Sequence, residues 1–260
     1  MSTKSPLVSI GMPLYNEERY LRQALDSLLA QDFKDFELII CDNASQDGTW
    51  RICLEYAARD KRIRLYHNER NMGAARNFNK TVMLASGRYF MWASGHDLWD
   101  PKFISSCLSR LQSDQSNVLC FTDCLIIDTE GLPLRKLRNS FPVDSLDRVR
   151  LFNLVIWGRF SYAIYGLIRR EILLEISFER PCAAFDTVLL AELSLRGRFS
   201  HIPEVLFYWR RTRLNEHMIP MIRQQVANLS PPHNTCCGRG FKSNPLIVYW
   251  TKISELIGII

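Results

Sequence analysis

Residues 36–42, FELIICD, are an almost unbroken apolar run closed by an aspartate. Such a run reads as a buried strand, and the lack of alternation fits a parallel sheet covered on both faces. The pattern extends outward in both directions. Upstream, LVSIGMP (7–13) is a short strand ended by Pro13, and ERYLRQALDSLLA (18–30) places Leu21, Leu25, Leu28 and Leu29 on one helical stripe. Downstream, NASQDGTWRICLEYAARD (43–60) is a turn opening a helix, and RIRLYHN (62–68) is a third strand. GAARNFNKTVMLA (73–85) is a helix, GRYFMWAS (87–94) a fourth strand, and PKFISSCLSRLQSD (101–114) a helix with Pro101 suited to its first turn. This βαβαβαβα order predicts an open, doubly wound, mostly parallel α/β sheet flanked by helices.

The second half is less regular. NVLCFTDCLIIDTEG (117–131) and PLRKLRN (133–139) read as strands around a turn, SLDRVRLFNLVIW (145–157) as a helix and SYAIYGLIR (161–169) as a strand. AAFDTVLLAELSLRG (183–197) follows as a helix and PEVLFYWRR (203–211) as a final strand. The expected organisation is one domain over 1–215, with a C-terminal extension over 216–260.

Composition narrows the function. The 260 residues are 47% hydrophobic and 23% charged, an ordered globular balance, and the net charge of +6 is too diffuse to argue for nucleic acid. No apolar run approaches the ~20 residues of a membrane span, and no signal peptide is visible, so a cytoplasmic location is expected. The eight cysteines lack zinc-site spacing, PPHNTCC (231–237) included, and read as reduced thiols.

Open α/β sheets bind ligands beyond the carboxyl ends of their strands. The groups there are Tyr15–Glu17, Asp42–Ser45, Asn68–Arg76 and Ser94–Asp97. Neither a GxGxxG turn nor a GxxxxGK[ST] loop is present. Asp42 could accept hydrogen bonds from a ribose or base; alternatively Asp42, Asn43 and Ser45 cap the following helix. Arg76, at a helix start, suits a diphosphate or is a solvated surface arginine.

Together, VSIGMPLYNEERYLRQALDSLLAQDFKDFELIICDNASQDGT and NERNMGAARNFNKTVMLASGRYFMWASGHDLWDPKFI resemble family 2 glycosyltransferases of the GT-A fold, strongly over about residues 7–115 and weakly to about 210. The resemblance implies a nucleotide-sugar half over about 1–115 and an acceptor-side half over about 116–215. Pro13, Tyr15 and Glu17 would line the nucleotide pocket, with Asp42 on the nucleoside, Asn43 beside it, and Arg76 near the base or diphosphate.

Similar enzymes carry a DxD-type motif after the fourth strand, and here Gly95, His96 and Asp97 match it. The resemblance makes Asp97 the ligand of Mg²⁺ or Mn²⁺ bridging the donor diphosphate, while Gly95 supplies no first carboxylate. His96 is expected to line the pocket. Asp186 matches the second member of the family's acidic pair, the general base of an inverting transfer, with Phe185 in place of the first; its other reading is a helix cap. The implied partners are a nucleotide-diphosphate sugar and a saccharide or lipid-linked saccharide acceptor, in bacterial polysaccharide or lipopolysaccharide synthesis at the inner face of the membrane.

Two rivals stand beside this reading: a nucleotidyltransferase, and a non-catalytic sugar-binding or partner protein suggested by Gly95 and Phe185. Arg210, Arg211, Arg213 and His217 are either diphosphate neighbours or a basic solvent-facing rim. The tail NPLIVYWTKISELIGII (244–260) is apolar enough to pack on the domain, form a homodimer or touch a membrane surface, with packing the default.

Overall fold

The computed structural model describes residues 5–139, 141–157, 161–176 and 185–211. Residues up to Arg210 form one compact unit, and a second begins at Arg211. PPHNTCC, the apolar tail, Arg213 and His217 lie outside the described residues.

The first half follows the sequence pattern closely. Strands β1 (Val8–Leu14), β2 (Phe36–Asp42), β3 (Ile63–His67) and β4 (Tyr89–Trp92) alternate with helices α1 (Leu21–Leu29), α2 (Thr49–Ala57) and α3 (Ala74–Leu84). All four strands are parallel, in the order β3-β2-β1-β4. Every residue of β2 is buried, which is why its sequence shows no alternation. Helix α3 packs so closely over β1 that a Cβ at Gly11 would lie 2.6 Å from Thr81 Oγ1 and 2.5 Å from the Phe90 ring.

Beyond β4 the sheet becomes mixed. A two-residue strand, β5 (Leu98–Trp99), precedes α4 (Phe103–Ser113); β6 (Asn117–Ile127) and β7 (Pro133–Leu137) form an antiparallel hairpin. Helix α5 (Arg148–Ile156) begins at Asp147, whose side chain accepts the Arg150 amide at 2.9 Å. Strand β8 (Leu167–Arg169), the short α6 (Arg170–Leu174), α7 (Phe185–Arg196) and β9 (Arg198–Arg210) complete the unit. The full order is β3-β2-β1-β4-β8-β6-β9-β5. β8 runs antiparallel to both β4 and β6, whereas β9 is parallel to β6.

The mostly parallel sheet expected from the sequence is therefore present: β1–β4 and the long β6–β9 pair run parallel, and the antiparallel pairs made by β5, β7 and β8 are short. SYAIYGLIR is not one strand: Ser161–Tyr165 wind as a 3₁₀ turn, and only Leu167–Arg169 pair. A Cβ at Gly166 would sit 2.5 Å from the Cys120 carbonyl oxygen, so the chain crosses β6 closely at that point. Cys41, Cys53, Cys107, Cys120 and Cys124 are free and buried, as core thiols.

Candidate active site

The chain reverses direction across the sheet between β1 and β4, since β2 lies on one side of β1 and β4 on the other. Ligands of open α/β sheets bind at such a switch point. Glu17, three residues past β1, and His96, four past β4, meet there: His96 Nδ1 lies 3.0 Å from each Glu17 carboxylate oxygen. Burial alone would lower the basicity of His96, but the bond to Glu17 and the nearby Asp97 carboxylate outweigh it and lift its pKa to about 9. The pair is partly open, with the His96 side chain 19% exposed.

Asp97 behaves differently from the expected metal ligand. It is fully buried, Oδ1 accepts the Arg210 amide at 2.8 Å, and Oδ2 accepts the Ser94 hydroxyl. Burial raises the Asp97 carboxyl above the ordinary range, against the opposing pull of His96, Ser94 and the Arg210 amide. Each oxygen thus accepts one protein hydrogen bond in a site with no solvent exposure. The first DxD position is closed as well, because a Cβ on Gly95 would lie 2.8 Å from Glu17 Cβ and from Leu14 Cδ2. Gly95→Asp is therefore expected to crowd Glu17 and cost about 1–3 kcal/mol of stability rather than restore a metal motif. Thermal unfolding checks this; an unchanged or raised Tm would contradict it.

Asp42 ends β2 with no solvent exposure. Its carboxylate accepts the Ser45 hydroxyl and the Ser45 amide at 3.2 Å, and lies 2.9 Å from His67 Nδ1. The helix-cap reading of Asp42, Asn43 and Ser45 does not hold for α2. That helix starts after Gly48 without a side-chain cap, and its Thr49 amide bonds Asp47 instead. Asn43 anchors a network that sequence reasoning missed. Its Oδ1 accepts Asn68 Nδ2 at 3.0 Å and the Met72 amide at 2.9 Å, while its Nδ2 donates to Asn71. Asn68 also donates to Asn77, and Asn77 donates to the Cys41 carbonyl. The available signal was the asparagine density of NERNMGAARNFN.

This network shapes the loop that launches α3. Gly73 takes φ +85°, and a Cβ there would meet nothing within 4 Å, so its constraint is backbone conformation. The N-cap position gives α3 no side-chain hydrogen bond, which leaves first-turn amides for an anion. Arg76, in that turn, is exposed and forms no ion pair with the described residues. Tyr15 is 43% exposed, and Pro13 is half-buried in β1 beside Cys41 of β2.

Ala74 and Ala75 of the same turn line a pocket of about 310 Å³ with Asp186, Tyr162, Tyr165, Phe185 and Trp209 among its walls. Asp186 lies in the first turn of α7, and its Oδ1 accepts the following amide, Thr187, at 2.8 Å. Phe185 is packed edge-on against Phe78 and Trp92. The Tyr165 hydroxyl is kept neutral well beyond its usual range, first by burial and then by the carboxylates of Asp97, Asp186 and Glu17. Tyr165 thus shares the electrostatic field of both halves of the site. No sequence signal pointed to it.

Arg210 overturns the reading of a solvent-facing basic rim at that position. It is only 1% exposed. Its guanidinium donates to the carbonyls of His96, Asp128 and Thr129 and to Gln23 Oε1, at 2.7–3.2 Å, and lies 4.7 Å from the Tyr20 ring centre.

The profile of Glycosyl transferase family 2 matches residues 9–176. Putative glycosyltransferase EpsE of Bacillus subtilis is 36% identical over 138 residues, which are 53% of this chain and 50% of EpsE. Chondroitin synthase of Escherichia coli is 30% identical over 202 residues, 78% of this chain but 28% of the synthase. The chain therefore spans half or less of these relatives' lengths. Among solved structures, S. aureus TarS 1-349 in complex with UDP-GlcNAc superposes with a TM-score of 0.63 at 19% identity, covering 86% of this chain and 67% of that one. Mannosyltransferase PcManGT from Pyrobaculum calidifontis, in complex with GDP-Man and Mn2+, gives 0.61 at 18% identity, covering 98% and 70%. These likenesses show a GT-A-type fold, and the family profile, covering more than half of the chain, shows that it belongs to glycosyl transferase family 2.

Proposed function

We propose that the chain transfers a sugar from a nucleoside-diphosphate donor to an acceptor hydroxyl, with inversion at the anomeric carbon. The observation that carries this reading is a single pocket walled by both the first turn of α3 and Asp186. A diphosphate at those amides, with Arg76 beside it, leaves the transferred sugar toward Asp186. Tyr15, Pro13, Glu17, Asp42 and Asn43 form the nucleoside side, at the ends of β1 and β2. As the acceptor oxygen bonds to the anomeric carbon, its proton passes to the Asp186 carboxylate. The bond to the diphosphate breaks with its electron pair, and the nucleoside diphosphate departs. Aromatic walls from Tyr162, Tyr165 and Trp209 suit a saccharide acceptor, free or lipid-linked.

Relatives described as a chondroitin synthase and a putative teichuronic acid biosynthesis glycosyltransferase support a place in bacterial polysaccharide synthesis. No helix among the described residues is long and apolar enough to cross a membrane. The family resemblance brings Mg²⁺ or Mn²⁺ with it, and a similar fold is described with Mn2+. The Asp97 carboxylate, fully buried and hydrogen-bonded at both oxygens, does not fit that ion.

The test is release of nucleoside diphosphate from a panel of nucleotide sugars. Release identifies a transferase; pyrophosphate exchange with a nucleoside triphosphate would identify a nucleotidyltransferase, and binding without release a partner protein. Phe185, packed where the first acid of the pair is expected, is the observation favouring that last outcome.

Asp42→Ala removes the acceptor of the Ser45 hydroxyl and amide and the carboxylate beside the exposed His67, at the β2 end assigned to the nucleoside. Affinity for nucleoside diphosphate is expected to fall in calorimetry on the folded variant. Unchanged affinity would leave Asp42 a purely structural residue.

A further inference from the structure

The turn from Ser94 to Asp97 stands where a divalent ion is expected, yet its side chains are already committed to one another. A Mg²⁺ or Mn²⁺ site is built from oxygen ligands, with at least one protein carboxylate turned toward the ion. Asp97 is fully buried, with the Arg210 amide bonded to one oxygen at 2.8 Å and the Ser94 hydroxyl to the other. Glu17 directs both oxygens at His96 Nδ1, 3.0 Å away. Gly95 contributes no carboxylate, and Glu17 and Leu14 fill the space that one would need.

What Asp97 does instead is visible in its partners. Arg210 ends β9, and its guanidinium also grips the His96 carbonyl at 2.9 Å. The turn after β4 is therefore tied to the end of β9 twice, once through Asp97 and once through His96. Positive character for a diphosphate is available elsewhere, at Arg76 and the uncapped first turn of α3.

We propose that the chain binds its nucleoside-diphosphate donor without a divalent cation, and that Asp97 is a positioning residue clasping the 94–97 turn to β9. The inference rests on the donor-binding reading given above. It separates two substitutions that a metal ligand would not. Asn is isosteric with Asp, so Asp97→Asn can still accept the Arg210 amide and donate to the Ser94 hydroxyl; Asp97→Ala can do neither.

The test titrates the full chain with UDP, GDP, CDP and dTDP by calorimetry, once with excess EDTA and once with excess MnCl₂, and records Tm in both buffers. The expected result is wild-type affinity within about threefold between the buffers, retained by Asp97→Asn. Asp97→Ala should lose affinity and Tm equally in both. An increase of more than about tenfold in wild-type affinity with MnCl₂, abolished in Asp97→Asn, would overturn the proposal. Absence of binding for all four nucleotides in both buffers would overturn the donor-binding reading itself, a distinguishable failure.

Discussion

Asp186→Asn is expected to lower sugar transfer by roughly 10²-fold or more while leaving nucleoside-diphosphate affinity within about twofold. The substitution keeps the size of the side chain and an oxygen able to accept the Thr187 amide, the contact now made by Oδ1. What it removes is a carboxylate that can take a proton from the acceptor hydroxyl. Loss of that function appears in turnover at saturating donor and acceptor, whereas a helix cap would appear in Tm. Retained turnover would place the base elsewhere; a parallel loss of affinity and stability would make Asp186 structural.

Arg210→Met should destabilise the described unit. Methionine can fill the apolar part of the space, but nothing then donates to the carbonyls of His96, Asp128 and Thr129 or to Gln23 Oε1. These acceptors are part-buried or exposed, so water recovers some of the loss, and a destabilisation of about 1–3 kcal/mol is expected in urea unfolding. Because the same guanidinium holds the turn before Asp97, nucleotide affinity should fall even where the variant remains folded. A stability change within about 0.5 kcal/mol, the range of ordinary surface substitutions, would contradict the buried clasp.

Different parts of the structure were legible to different degrees, and each has a physical cause. The β1–β4 half was readable because its strands carry buried faces on both sides and its helices carry one apolar stripe, both local patterns. Asp42, Glu17 and His96 were found as strand-end groups for the same reason. Their pairings were not readable, because the bond from His96 to Glu17 joins residues 79 apart, and that from the Arg210 amide to Asp97 joins residues 113 apart. Arg210 shows the consequence. In FYWRRTRLNEH it resembles its charged neighbours, and only the carbonyls of His96, Asp128 and Thr129 and the Gln23 side-chain oxygen, converging from three separate segments, explain its burial. The second half was harder because its order interleaves parallel and antiparallel pairs, and because the two-residue β5 and the five-residue α6 are too short to show a period. SYAIYGLIR looked like a strand from its β-branched and aromatic content, whereas the close crossing at Gly166 divides it into a turn and a short strand.

The central claim is that the strand ends of β1, β2 and β4 and the first turn of α3 form a site for a nucleoside-diphosphate sugar. Thermal unfolding of the full chain across a panel of nucleotide sugars tests it most directly, because ligand that binds only the folded state raises stability with the ratio of free ligand to Kd. The account predicts a rise in Tm with at least one nucleoside-diphosphate sugar, reduced in both Asp42→Ala and Arg76→Ala relative to each variant's own unliganded Tm. No rise with any member of the panel, or a rise indifferent to both substitutions, would contradict it.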